Sequence, residues 1–162
     1  SKLAILGYGT QDLPRLYSRL AQDCFLAGHY ESSVVMLGLA TEALVLALAA
    51  GLSDVQTRVL KSGVPRPATH TARQDVAWVG DTLNSQRRAL RQELDGGGVD
   101  SKWIEPLRDL LTGTAQTIRL SRNDFGHPTG VTASQEDALQ LLTLFPRFAE
   151  AATRATEALS QI

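Results

Sequence analysis

The chain has 162 residues, of which 43% are hydrophobic and 20% charged, a balance typical of one globular domain with a buried core. A formal net charge of −1 argues against an extended, non-specific nucleic-acid surface, because such surfaces are strongly basic. The single cysteine, Cys24, excludes an intrachain disulfide and a thiolate metal cluster. The three histidines lack metal-ligand spacing, so no metal site is predicted.

Helical periodicity and helix-ending residues divide the chain into segments, and no stretch has the alternation of a strand. The pattern predicts an arm over residues 1–10, helices over about 13–27, 31–50, 53–62, 72–94 and 101–125, loops over 63–70 and 95–100, and a last helix after residue 134. We interpret residues 1–162 as one all-α domain, a bundle of four to five main helices with one additional short helix. No N-terminal stretch has the pattern of a signal peptide, so a cytoplasmic protein is expected.

Helix starts and one break are predicted from local chemistry. A side-chain acceptor followed three residues later by an acidic or amide side chain has the spacing of a capping box. Three such pairs lie at predicted helix starts: Ser53 with Gln56, Thr71 with Gln74, and Ser134 with Asp137. Pro146 lies within the last helix and predicts a kink or split near Leu142.

The second helix is apolar nearly all round, which is typical of a central bundle helix or of a membrane span. Glu42 lies at its middle, and a carboxylate there costs about 2.5–3.5 kcal/mol on membrane-insertion scales. A buried bundle helix is therefore favoured over a membrane segment. A buried Glu42 needs a cation or several hydrogen bonds, and Arg122 is the obvious candidate.

Arg122 lies on the apolar stripe of its own helix, four residues after Ile118 and three before Phe125. His127 follows five residues after Arg122, which would place it about 140° around an unbroken helix from Arg122. Gly126 favours a helix end, and the proline after His127 disfavours helical dihedrals there. The helix is therefore predicted to end near Phe125, which would allow His127 to return toward Arg122.

These residues resemble a known signature. Arg122, Asn123 and His127, followed by Pro128, resemble the Arg-x(4–6)-His motif of HEPN domains. HEPN domains are helical bundles found in toxins, RNA-processing nucleases and prokaryotic defence proteins. The stretch 24–45 is similar to the first part of one HEPN branch, in which a helix, a Gly-aromatic turn and a helix with a glutamate recur. Glu42 takes the place of that glutamate.

The resemblance implies a HEPN-like bundle and, in many members, metal-independent RNA cleavage without a cofactor. His127 would act as general base or acid on the ribose 2′-hydroxyl. Arg122 would stabilise the phosphate, Asn123 would orient the phosphate or the imidazole, and Glu42 would support Arg122 from behind. Similar members form homodimers with a composite active site. The implied partners are RNA, a second copy of the chain, and an antitoxin or a larger defence protein, with no membrane.

Other interpretations remain open from the sequence. A HEPN-like module could bind nucleotide or RNA without cleaving it, or serve dimerisation alone, and a plain structural helical domain would use an Arg122–Glu42 pair only to fix its helices. Trp78 and Trp103 are predicted to pack in the core rather than to stack on bases. The basic cluster at residues 87–91 is predicted to be a solvated helix face.

Overall fold

The structure is a computed structural model that describes residues 12–68, 71–126 and 132–162, with only the backbone described at 124–126. Every regular element in these ranges is helical, which confirms the predicted all-α class for this part of the chain. The α-helices are α1 (Leu13–Leu26), α2 (Tyr30–Val55), α3 (Ala72–Ser85), α4 (Arg87–Gly96), α5 (Ile104–Leu110), α6 (Gln116–Gly126) and α7 (Gln135–Leu159). Two five-residue π-helical turns, Gln56–Leu60 and Leu111–Ala115, follow α2 and α5. The predicted arm over residues 1–10 lies outside the described residues.

Two compact units make up the chain. The first is formed from Ser1–Ala43 and Gln116–Pro146, and the second from Leu44–Ala115 and Arg147–Ile162. In the first unit, α1, α6, parts of α2 and α7, and the segment just before α7 supply the buried apolar side chains that the structure describes. These are Ala21, Val34, Leu37, Ala40, Ile118, Ala133, Ala138, Leu141 and Phe145.

The second unit has its own apolar core. Helix α3 contacts α5 and the π turn Leu111–Ala115, and α4 contacts the π turn Gln56–Leu60. The largest side chains that are fully buried in this unit are Leu48, Leu52, Leu83, Leu90, Leu94, Ile104, Leu107, Leu111, Phe148 and Leu159.

Two of the three predicted capping boxes form. Thr71 accepts from the Gln74 backbone N–H at 3.2 Å, and the Gln74 side chain accepts from the Thr71 backbone N–H at 3.1 Å. Ser134 and Asp137 make the equivalent pair, with distances of 2.8 and 3.1 Å. Both helices therefore begin where their local chemistry predicts.

The third predicted cap, at Ser53, is wrong because Ser53 lies inside α2. Helix α2 continues through Val55 into the π turn, and the Ser53 carbonyl accepts a hydrogen bond from the Thr57 hydroxyl at 2.9 Å. Leu52 and Val55 are completely buried. Their burial stabilises a continuous α2 through Ser53, where the local sequence predicts the start of a new helix.

The later helices also differ from their predicted lengths. The helix predicted over 72–94 is interrupted at Gln86, whose dihedrals are φ −100° and ψ 5°, so α3 and α4 are separate. The helix predicted over about 101–125 is continuous from Ile104 but contains a π turn. Helix α7 is not split at Pro146, which lies within it.

Helix α2 and its π turn form the most apolar element. Together they span Tyr30–Leu60, 31 residues, with a mean hydropathy of 2.1 in the most apolar window. By length and composition this helix could cross a membrane. Half of that window is buried inside the structure, which is compatible with the core helix of a soluble protein.

Candidate functional site

The first unit joins the two polar residues that the sequence singled out on apolar helices. Nη1 of Arg122 on α6 donates to Oε1 of Glu42 on α2 at 2.7 Å. The Arg122 side chain is 31% exposed and the Glu42 side chain 25%, so the pair is largely shielded but not sealed from solvent. The predicted pairing of Glu42 with Arg122 is confirmed.

Gly38 makes room for this pair, one helical turn before Glu42. A Cβ atom at Gly38 would lie 2.6 Å from Cγ of Arg122 and closer still to its Cβ and Cδ atoms. Real Cβ atoms do not approach a neighbour so closely. The missing side chain of Gly38 thus forms a slot for the Arg122 stem, and Glu42 receives the head group.

Sequence reasoning overlooked Gly38. A glycine inside a long helix costs about 0.5–1 kcal/mol relative to alanine, so its presence there is a signal that something packs closely against it. The spacing of Gly38 and Glu42 by four residues places both on one face of α2. That face is the one that α6 meets at Arg122.

Arg122 keeps hydrogen-bonding capacity beyond the bond to Glu42. Its Nε and Nη2 atoms make no hydrogen bond within the described ranges. A guanidinium offers five donors in a planar fork, which matches the oxygens of a phosphate or carboxylate. The arrangement can therefore orient Arg122 through one nitrogen and present the others to an anion.

Asn123 is half-buried beside Arg122 near the end of α6. Its side-chain amide has no hydrogen bond within the part of the chain that the structure describes. Helix α6 ends at Gly126, one residue beyond the predicted end at Phe125. His127 and Pro128 follow, and the predicted return of His127 toward Arg122 lies outside the described residues.

The two tryptophans pack as predicted. Trp78 is 6% exposed and its indole nitrogen donates to the Val64 carbonyl at 2.9 Å. Trp103 is 5% exposed. Neither offers an exposed ring face for base stacking.

The basic cluster on α4 is organised around one carboxylate. Arg87 and Arg91 approach Glu105 at 3.2 and 3.5 Å, and all three side chains are between 38% and 49% exposed. Arg108 approaches the same carboxylate at 3.3 Å. Exposed pairs of this kind are worth little individually, and they fit the predicted solvated face.

Among the described residues, no group of three or more His, Cys, Asp or Glu side chains is arranged to hold a metal ion. Comparison of the chain with models of protein families, with curated proteins and with solved structures finds no match. The evidence that bears on function is therefore the geometry of the site and the motif that spans the end of α6.

Proposed function

We propose that this chain is a metal-independent endoribonuclease of the HEPN type. The observation that carries the proposal is the Glu42–Arg122 pair, in which Arg122 packs against Gly38 and is the first residue of the HEPN-like motif at the end of α6. The pair holds one nitrogen of Arg122 at 2.7 Å, and no described residue accepts a hydrogen bond from the rest of its fork. A catalytic arginine needs such support, because its geometry must be fixed before the phosphate arrives.

The proposed reaction is an in-line transfer within the RNA strand. His127 takes the proton of a ribose 2′-hydroxyl, whose oxygen attacks the adjacent phosphorus. The bond from phosphorus to the 5′-oxygen breaks, and that oxygen leaves with a proton from a general acid. Arg122 stabilises the charge on the phosphoryl oxygens, and Asn123 orients the phosphate or the imidazole. The products are a 2′,3′-cyclic phosphate and a free 5′-hydroxyl.

The requirement for a 2′-hydroxyl makes RNA the substrate. A homodimer would bring two motifs together and supply His127 of the second copy as the general acid. The proposed setting is a cytoplasmic toxin or phage-defence protein, inhibited by an antitoxin or attached to a larger defence protein.

A second candidate is a non-catalytic HEPN-like module that binds nucleotide or RNA, or that only mediates dimerisation. The same Glu42–Arg122 pair favours this alternative, since an ion pair between α2 and α6 also serves simply to fix two helices. The chain's net charge of −1 points the same way.

RNA degradation in the presence of EDTA tests the proposal. The wild-type protein is expected to cleave RNA and to leave 2′,3′-cyclic phosphate ends, whereas an oligonucleotide with 2′-deoxyribose at every position should stay intact. His127→Ala and Arg122→Ala are each expected to lower the rate at least a hundredfold. RNA that survives the wild-type protein, or cleavage by His127→Ala at the wild-type rate, would refute the nuclease.

Two matched control variants separate a loss of catalysis from a nonspecific effect of removing a histidine or an arginine. His29→Ala removes an exposed histidine of the first unit, and Arg58→Ala removes an exposed arginine whose carboxylate partner is Asp54. Both controls are expected to cleave like the wild type. Glu42→Gln should lower the rate less than Arg122→Ala does, because Arg122 remains present but loses its ionic support.

A further inference from the structure

Arg119, a second arginine on α6, is buried and has no carboxylate partner among the described side chains. Arg119 is 8% exposed, and its one hydrogen bond within the described residues runs from Nε to the Gln116 side-chain oxygen at 3.4 Å. That acceptor is neutral, and the distance is long for an N–H···O bond. Buried charges are ordinarily paired, because desolvation of an unpaired ion is costly.

The same chain shows how a buried arginine is ordinarily satisfied. The Arg66 side chain is 11% exposed, and its Nε and Nη2 atoms donate to the two oxygens of Asp75 at 2.9 and 2.8 Å. Arg119 is buried to a similar degree but has no such fork-to-fork contact among the described side chains. The difference indicates that no described side chain supplies a carboxylate partner for Arg119.

Few acidic residues lie outside the described side chains. Asp124 is the only one. Its position on α6 lies five residues after Arg119, about 140° around the helix at 100° per residue. Arg122 lies three residues after Arg119, on the same face of α6, and is another cation.

The Arg119 guanidinium remains within reach of a ligand. The side-chain nitrogens and oxygens that are fully buried and unpartnered in the described part of the chain belong to Ser33, Gln56 and Trp103. Arg119 is not among them, and its 8% exposure means that a small part of the residue still meets solvent. An anion could dock there and find a partly desolvated cation, where its attraction is stronger than at an open surface.

We propose that Arg119 binds a second backbone phosphate of the RNA, next to the phosphate that Arg122 binds. The proposal rests on the proposed function for the identity of the ligand. Arg122 is paired with Glu42, whereas Arg119, on the same face of α6, has no carboxylate partner among the described side chains. Arg119 thus positions the strand, while Arg122 acts on the phosphate that reacts.

Binding of a labelled 2′-O-methyl RNA, which lacks the attacking hydroxyl, tests the proposal over a series of salt concentrations. Arg119→Met is expected to weaken binding about tenfold or more. The slope of log affinity against log salt should fall by about 0.7, the value for one phosphate contact of a single strand. Arg119→Lys keeps the charge but not the fork, so it should bind more weakly than wild type with an unchanged slope.

Thermal unfolding supplies the second readout. Methionine is close to the arginine stem in shape and needs no counter-ion, so Arg119→Met is expected to unfold at the wild-type temperature or above it. A lower unfolding temperature would overturn the proposal, since it would mean that the fold itself needs the arginine. Unchanged affinity and salt slope in Arg119→Met would overturn it as well.

Arg58→Met is the matched control, because this exposed arginine belongs to the second unit and should leave binding unchanged. The two proposals fail separately. A wild-type protein that does not cleave unmodified RNA contradicts the nuclease, whereas the role of Arg119 is decided by binding of the methylated RNA.

Discussion

Arg122 and Glu42 meet at 2.7 Å although eighty positions separate them in the chain. Glu42 lies in the middle of the apolar helix α2, Arg122 lies on the apolar stripe of α6, and each side chain is about two-thirds to three-quarters shielded from solvent. Their contact links α2 to α6 within the first unit. The stem of Arg122 reaches Glu42 only because Gly38 has no side chain in its way.

A double-mutant cycle should show that the two residues act together. Glu42→Gln and Arg122→Met are each expected to lower the free energy of unfolding by about 1–2 kcal/mol, because a partly shielded charge loses its partner. The double variant should lose clearly less than the sum of the two. Chemical denaturation of the four proteins measures this, and additive losses would contradict a direct coupling.

Gly38→Ala should destabilise the protein although alanine is the better helix former. The added Cβ would force the Arg122 stem aside, and overpacking of this kind costs about 1–3 kcal/mol. The gain in helix propensity offsets about 1 kcal/mol of that cost at most. The expected result is a lower denaturation midpoint together with weaker RNA cleavage.

Gly80→Ala is the control for that experiment. Gly80 lies inside α3, and a Cβ there would meet nothing within 4 Å. The control should therefore stabilise the protein by about 0.5–1 kcal/mol. A Gly38→Ala protein that is also stabilised would show that Arg122 can move without cost.

From the sequence, a site residue could be predicted only where its side chain departs from the apolar pattern of its helix. Glu42 and Arg122 were found because a charged side chain stands out on an apolar stripe. Gly38 is marked in the sequence only as a glycine inside a long helix, and the residue that packs against it is known only when α6 is placed against α2. Arg119 was missed because its burial depends on what packs around α6.

The helix limits, too, were predictable where they depend on nearby residues and unpredictable where they depend on burial. The caps at Thr71 and Ser134 were predictable because all their partners lie within one turn. The cap at Ser53 failed because burial of Leu52 and Val55, which the local sequence does not encode, favours a continuous α2. The break at Gln86 had no glycine or proline signal.

Arg66→Met should be strongly destabilising, in contrast to Arg119→Met. Arg66 gives two hydrogen bonds to a carboxylate that is only 2% exposed, and removal of one partner from such a pair costs about 3 kcal/mol or more. Arg154→Met is the control, because both side chains of the Arg154–Glu150 pair are about two-thirds exposed. The control should change stability by less than about 0.5 kcal/mol, and equal losses at both positions would contradict the prediction.

Asp137 should make stability depend on acid pH through the start of α7. The Ser134 backbone N–H, and then its hydroxyl, donate to the Asp137 carboxylate and lower the pKa of that group from its ordinary value of 3.8. A pKa that is lower in the folded state means that the ionised form stabilises the fold. This contribution is complete above the unfolded pKa and is lost as pH falls through the folded one.

Asp137→Asn cannot ionise, so it should be less stable than wild type at neutral pH, and the difference should shrink as pH falls below 3.8. Denaturation midpoints of both proteins across a pH series measure this. Glu136→Gln is the matched control, because Glu136 lies in the same first turn of α7 and has no hydrogen bond to Ser134. Glu136 interacts with the helix dipole but takes no part in the cap. We therefore expect Glu136→Gln to differ less from wild type in stability than Asp137→Asn does, and the excess measures the hydrogen bonds of the cap. A difference between wild type and Asp137→Asn that stays constant down to the most acidic pH would mean that the ionised carboxylate does not stabilise this helix start.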